Sequence, residues 1–525
     1  MDDPMKAELD RRTSLTFGDL TREHRRSRPD RPAVVDGDIR FTYRQLDERS
    51  NRLATAMLGH GLGHGDRIAW LGQNSFRVLE LLVAAAKLGA VFCPVNWRSS
   101  EAELRFVLDD LDPAIVVWQD LELGDTARAA KESAGAAGVA TGALWLQHDA
   151  DSGDDSYESF LAGGADEDPD RPVAGDDPLL AMYTAAFGGT ANAALLSHTA
   201  LIVQNLVVGR MQDITDETVF LNSGPLFHIA TFMSTNATLH HGGCNVFVRR
   251  TDPAEMCAVI ETERCTHAVI MGPTLDAMIE HNRTAAHDLT SLWPTGDPND
   301  NRSSIVTPDT APWRHRPGGY GQTEVVGLTT FLGPGSPTEG RAGRPSPAVA
   351  VRIVDANGAD VESGETGEIV VRGLTVMSGY WRRDDLNDER GATGWHRTND
   401  LGRRETDGSI TFIGPRVAMI KSAAENIYPA EVEACLVAHP AVRAACVIGV
   451  PDPKWTQRVK AVVVLDAGAV TTAEELIEHC RSRMASYKKP SEIVFVDSLP
   501  RTAVGFVDRD AVDEQFGGGG YPGTK

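Results

Sequence analysis

Along the first 415 residues, short apolar runs alternate with longer stretches in which apolar positions recur every three or four residues. The segment FRVLELLVAAAKLGA has the longer period and predicts a buried helix; VFCPVN, which follows it, is short and continuously apolar and predicts a buried strand. LIVQNLVV, CNVFVRR, AEMCAVIETE and HAVIMG continue the alternation. Strands that take turns with helices imply parallel sheets covered by helices. The most apolar stretch, LELLVAAAKLGAVFCPV, is interrupted by Glu80 and Lys87 before it reaches bilayer length, so no membrane span is expected.

Near Gly340 the pattern changes. AVAVRIVD, GEIVVRG and SITFIG are short β-rich runs separated by Gly, Asp and Ser, with a TDGS hairpin signal at Thr406–Ser409. They predict a small β-barrel or antiparallel sheet. After Gly414 the text becomes PAEVEACLVAHP, VRAACVIGV, VKAVVVL, TAEELIEHCRSRMA and EIVFVD, a mixed α+β pattern long enough to fold by itself. The predicted fold class is α/β, with residues 1–415 as a large domain and 416–525 as a small mobile one. GPRVAMIKSAAEN is the joint between them, and LWPTGDPNDNRSSIVTPDTAPWRHRPGG, without periodicity, is an irregular loop. There are no internal repeats.

Charge and cysteine usage narrow the function classes. A formal net charge of -23 speaks against nucleic-acid binding as the main activity, because that affinity rests on Lys and Arg neutralising phosphates. The seven cysteines are odd in number, scattered and without CxxC or Cys/His spacing, which predicts reduced buried thiols and no metal site. The N-terminal segment MDDPMKAELDRRTS lacks an apolar core, so a cytoplasmic protein without a signal peptide is expected.

Three stretches carry candidate chemistry. GGYGQTEVVGL sets Tyr320, Gln322, Thr323 and Glu324 after a double glycine, where backbone can approach a ligand; Thr323 offers a hydroxyl and Glu324 a carboxylate suited to Mg²⁺. GWHRTNDLGRRETDGSITFIGPR contains Asp400, able to take two ribose hydroxyls, and Arg416, able to pair a phosphate, so that a nucleoside monophosphate suits the two together. SGPLFHIATF places Phe227 and His228 at the end of an apolar run.

Together these blocks resemble the AMP-forming adenylate superfamily of acyl-CoA synthetases, aryl-CoA ligases, luciferases and adenylation domains (the ANL superfamily), most of all its acyl-CoA ligases. The likeness runs from about Leu15 to Ala511 and includes FTYRQLDERSNRLA, PLFH, YGQTE, GEIVVRGLTVMSGYW, GWHRTNDLGRR, ENIYPAEVE, VIGVPDPKW and YKKPSEIVFVDSLPRT. The resemblance implies a two-step reaction: a carboxylate attacks the α-phosphate of ATP to give acyl-AMP and pyrophosphate, then the small domain swings and coenzyme A displaces AMP. It implies cofactor contacts from Gly319, Tyr320, Gly321, Gln322, Thr323, Asp400, Arg416, Ser422 and Ala424. It further implies catalytic roles for His228, Thr323 and Glu324, and acyl-side walls from Phe227, His228, Gly319 and Val325.

The departures from the family pattern are as informative. YTAAFGGTANAALLSH stands where the family has roughly YTSGTTGxPKGxxxSH: Ala185 replaces serine, Ala186 glycine, Phe187 and Gly188 the two threonines, and Asn192 the lysine. PRTAVGFVDR carries Phe506 where the family places the lysine that reaches the α-phosphate. RVAMI is one residue shorter than the family's joint when the arginines are matched, leaving the acidic hinge residue without a counterpart; matched without a gap, Ala418 takes its place and Pro415 that of the arginine, and SAAEN replaces SGGEN. TPDTAPWRHRPGG takes the place of the usual adenine shelf. Losing one preorganised donor costs on the order of a hundred- to a thousandfold in rate, so the expectation is an enzyme that keeps only thioester formation from a preformed acyl-adenylate and coenzyme A. Mg²⁺ would matter only if adenylation survives. A hydrophobic acid of specialised metabolism, such as antibiotic biosynthesis, is the expected substrate, and a separate adenylating ligase the expected partner. A complete ligase and a non-catalytic binding protein are the alternatives, and a homodimer stays open.

Overall fold

The computed structural model describes residues 14–136, 142–150, 152–184, 191–270, 272–292, 319–332, 339–340, 342–391, 393–416, 418–422, 425–501 and 507–520. Phe187, Phe506, Ala424 and most of the irregular 292–319 loop lie outside the described residues.

The apolar run predicted as a helix is the helix Arg77–Leu88, ended by Gly89 in the left-handed conformation at φ 69°. It leads into the strand Val91–Pro94, buried at every position. This strand is central in a seven-stranded sheet of order Gly379–Tyr380, Ala193–Ser197, Pro178–Tyr183, Val91–Pro94, Arg67–Leu71, Ile115–Trp118, Leu144–Gln147. Its middle is parallel, while Pro178–Tyr183 and Ala193–Ser197 pair antiparallel. Continuous apolar strands are what a sheet covered on both faces requires. A second sheet holds His267–Ala268, Val219–Asn222, Cys244–Phe247, Pro32–Asp36 and Ile39–Thr42, parallel except for the last strand.

The β-rich stretch is an antiparallel sheet of order Val349–Val354, Thr366–Gly373, His396–Arg404, Ile410–Pro415. Pairing continues past its last strand through an isolated bridge between Ile410 and Gly343, next to the ladder of Thr330–Phe331 with Arg344–Pro345. Gly408, at φ 83°, makes the TDGS turn between the last two strands. Sheet membership then changes: Ile420–Ser422 and Glu425–Ile427 join Thr456–Leu465, Val442–Asp452 and Glu492–Phe495 in a separate sheet. Ala418 packs against that sheet's apolar core.

All seven cysteines are free, and six of them are buried. Cys435 and Cys480, on the helices Pro429–Val437 and Ala473–Arg481, come within hydrogen-bond reach, and that bond holds the Cys435 thiol below its usual range. Among the described residues no helix is long and apolar enough to cross a membrane.

Candidate active site

One corner of the site is built on two short antiparallel pieces. Gly321–Gln322 pairs with Gly327–Leu328, and the chain between them forms a 3₁₀ turn at Thr323–Val325. A Cβ at Gly319 would lie 1.9 Å from the carbonyl oxygen of Thr330, and one at Gly321 1.9 Å from that of Gly327, so only glycine permits these approaches. Val326 is held in the left-handed region at φ 57°, an unfavourable conformation for a β-branched residue, and Gly327 follows at φ 92°. This folding presents Tyr320 and Gln322 to Asp400, on the neighbouring sheet.

The Tyr320 hydroxyl donates to Asp400 Oδ2 at 2.7 Å. Gln322 Nε2 donates to the same oxygen at 3.2 Å and to the Tyr320 hydroxyl at 3.1 Å. Behind Gln322, His396 Nε2 donates to Gln322 Oε1 at 2.9 Å and thereby fixes the amide's orientation. Burial pushes the His396 imidazole down to about 3, so it donates as a neutral ring. Tyr320 stacks on Phe412 with ring centroids 5.2 Å apart. Burial raises the Asp400 carboxyl to about 6, a rise that the bond from Tyr320 only partly opposes. A carboxylate held by neutral donors alone is one that can exchange them for the two hydroxyls of a ribose.

Glu324 is buried beside this corner, and the Tyr380 hydroxyl donates to its Oε1 at 2.7 Å. Arg390 Nη1 donates to the Tyr380 oxygen at 3.1 Å. Burial raises the Glu324 carboxyl. Among the described residues no three His, Cys, Asp or Glu side chains gather as a metal cage. Mg²⁺ takes one or two carboxylates and completes its shell with phosphate and water, so Glu324 fits as a single protein ligand to an ion carried by a phosphate. Thr323 is half buried, and Val325 is fully buried among Tyr320, Ile369 and Val371, where it shapes the corner through packing. The Arg416 guanidinium lies 3.3 Å from Glu368, while its backbone N–H donates to Asn399 at 2.7 Å, next to Asp400. Arg416 therefore reaches this corner by its backbone, with its side chain turned to another carboxylate.

The second corner lies between the two bodies of the chain. His228 caps the helix Ile229–His241, and its Nε2 is 3.2 Å from Glu425 Oε1, on the hairpin Ile420–Ile427 of the C-terminal sheet. Ser422 pairs with Glu425 in that hairpin. Arg98 Nη1 donates to the same Glu425 oxygen at 2.8 Å and lies over the rings of Trp97 and Phe227, the latter 4.4 Å from the His228 ring. Burial alone would raise Glu425, but the bond from His228 and the charges of His228, Arg98 and Lys421 outweigh it and hold the carboxyl below its ordinary range. Two further contacts cross the same boundary: Asn96 Nδ2 donates to the Tyr487 hydroxyl at 3.3 Å, and Lys488 bridges Glu103 at 2.6 Å and Glu431 at 2.7 Å.

The third place is the loop that departs from the family pattern, of which the legs are described. Thr184 N donates to the Asn192 carbonyl at 2.9 Å. Asn192 is 7% exposed, and its Oδ1 accepts from Arg383 Nε at 2.9 Å. Arg383 Nη2 pairs with Asp110 at 2.7 Å, and Asp110 also accepts from the Tyr183 hydroxyl at 2.8 Å.

Sequence reasoning named the residues that would touch ligand and missed those that hold them: His396, Tyr380, Arg390, Arg98, Glu425 and Arg383. Glu425 and Tyr380 lie inside quoted motifs, so a question about their partners was open to the sequence; Arg98 and Arg383 gave no signal.

Residues 21–381 match the family described as AMP-binding enzyme, and residues 431–505 match the AMP-binding enzyme C-terminal domain. The indoleacetate–CoA ligase of Aromatoleum aromaticum is 34% identical over 92% of this chain and 95% of its own. The feruloyl-CoA synthase of an Amycolatopsis species is 35% identical over 94% and 97%. The structure of the amide bond synthetase McbA from Marinactinospora thermotolerans, 25% identical, superposes with a TM-score of 0.81 over 96% of this chain and 100% of that one. The chain is therefore a member of the AMP-binding enzyme family and, within it, of the acyl-CoA ligases.

Proposed function

We propose that this protein carries out the thioester-forming half of the ligase reaction, acyl-adenylate plus coenzyme A to acyl-CoA plus AMP. The thiol gives up its proton to solvent, its sulfur bonds to the carbonyl carbon, the bond from that carbon to the phosphate oxygen breaks, and AMP leaves with the electron pair. Asp400, with Tyr320 and Gln322, would hold the ribose. Phe227, His228, Gly319 and Val325 border or shape the acyl side. The observation that carries this reading is the His228–Glu425–Arg98 contact, which docks the C-terminal hairpin, with Ser422, against Phe227 and His228. Such docking suits a step in which the small body must already be in place.

The sequence supplies the other half of the argument. Asn192, Phe187 and Phe506 remove the cations and hydroxyls expected to stabilise the departing pyrophosphate and the α-phosphate. Relatives whose names specify indoleacetate and ferulate support a hydrophobic, aromatic acid. A separate ligase would then supply the adenylate. A complete ATP-dependent ligase is the second reading, favoured by full-length likeness to proteins named as CoA ligases.

The test separates the half-reactions: the purified protein is given aromatic acids with ATP, Mg²⁺ and coenzyme A, and separately synthetic acyl-AMP with coenzyme A. Acyl-CoA formed from the adenylate alone is expected. Rapid pyrophosphate release from ATP by this protein alone would establish the second reading instead.

A further inference from the structure

Arg383 is delivered to the loop legs by a strained backbone. Tyr380 and Trp381 continue the edge of the seven-stranded sheet, the latter donating from its N–H to the Ala193 carbonyl at 2.9 Å. Arg382 follows in the left-handed region at φ 52°. A non-glycine residue stays there only when its surroundings hold it. Here they do: Trp381 Nε1 donates at 2.9 Å to the carbonyl of Asp110, in the last turn of the helix Glu101–Leu111, and Arg382 Nη2 donates to Asp112 at 3.2 Å. A helix C-terminus is electronegative and favours cations.

Every nitrogen of the Arg383 guanidinium is engaged. Nε donates to Asn192, Nη2 pairs with Asp110, and Nη1 donates to the carbonyls of Trp381 and Arg382 at 3.4 and 3.1 Å. The Asp110 carboxylate is divided between Arg383 and Tyr183, the residue that opens the loop.

We propose that Arg383 is a positioning residue that has taken over, as a structural clamp, the place where the loop would carry its own cation. It ties the loop legs Tyr183 and Asn192 together through Asp110, and it bars a cation from position 192. A lysine there offers no acceptor to Arg383 Nε and adds a second positive charge beside the guanidinium, in a nearly buried site where the Asp110 carboxylate is already shared between Arg383 and Tyr183. Asn192 and Arg383 are thus a linked pair, and the loop cannot regain its grip by one substitution. This inference rests on the half-reaction reading for its meaning, since it explains why the loss at Asn192 is fixed.

The test is a charge series at position 192 in the full-length protein, with Asp, Asn, Met and Lys, measured by thermal unfolding in the presence of Arg383 and of Arg383→Met. With Arg383, the expected order of stability is Asp at or above Asn, then Met, then Lys, with Asn192→Lys lowering the midpoint by about 4 °C or more. With Arg383→Met the order between Asp and Lys is expected to reverse. Arg383→Lys, long enough to keep the Asp110 pair, is expected to restore most of the stability lost in Arg383→Met. A lysine penalty of equal size with and without Arg383 would overturn the proposal, because independent sites add. Exchange of pyrophosphate into ATP by the unaltered protein reports on the half-reaction reading alone and leaves this charge series to stand or fall separately.

Discussion

Asp400 and Asp110 are both nearly buried carboxylates that accept a tyrosine hydroxyl, from Tyr320 at 2.7 Å and from Tyr183 at 2.8 Å. Their second partners differ. Asp400 receives the neutral amide of Gln322, whereas Asp110 receives the guanidinium of Arg383. With neutral donors alone, Asp400 keeps an uncompensated charge, its carboxyl rises to about 6, and it gains from any ligand that offers more hydroxyls. Asp110 forms a neutral pair and has nothing to gain. One corner is built to exchange partners and the other to keep them.

The sharpest division would come from replacing each carboxylate in turn. Asp400→Asn is expected to lower kcat/KM for acyl-AMP by about a hundredfold, since bonds to a charged acceptor contribute about 1.5–3 kcal/mol each. Its unfolding midpoint at neutral pH should not fall, because a destabilised buried charge is removed. Steady-state kinetics and calorimetry on one preparation check both halves. Asp110→Asn should do the opposite, costing about 2 kcal/mol of stability by leaving Arg383 without its counter-charge while the folded enzyme keeps its kcat/KM within about threefold. If both variants lost affinity alike, the contrast would be wrong.

At the domain boundary, Glu425→Gln weakens the grip on both Arg98 and His228 and should slow thioester formation by about tenfold without changing AMP affinity, checked by single-turnover kinetics and calorimetric titration. The pH response of AMP binding follows from Asp400. In the ligand-free protein its raised pKa contributes stability that is present below about 4 and lost as pH rises through about 6. A ribose prefers the ionised carboxylate, so AMP affinity should rise by up to tenfold per pH unit below about 6 and level off above it, as titrations in buffers of different pH would show. Lys488→Met should have the smallest effect, about threefold on the thioester step, because the partly exposed bridge to Glu103 and Glu431 is one of several docking contacts.

The fold was largely legible because its signals are local. The period of FRVLELLVAAAKLGA and the turn at Gly408 each depend on residues close in sequence. The candidate site was half legible: Tyr320, Gln322 and Asp400 come together as motif reasoning required, but Arg416 turns its guanidinium to Glu368 and Val325 into the core. The residues missed act across long separations, 327 positions for Arg98 and Glu425 and 191 for Asn192 and Arg383. No periodicity spans such distances.

The sequence alone therefore determined which elements form, which family the blocks resemble, and which cations and hydroxyls are missing from positions 187, 192 and 506, since these are properties of residue type and order. The tertiary structure decided which charges meet. Sheet register brought Arg383 beside Asn192, docking of the C-terminal hairpin brought Glu425 to His228 and Arg98, and burial raised Asp400. Pairing and desolvation depend on what the folded chain places within a few ångströms, and only packing sets that.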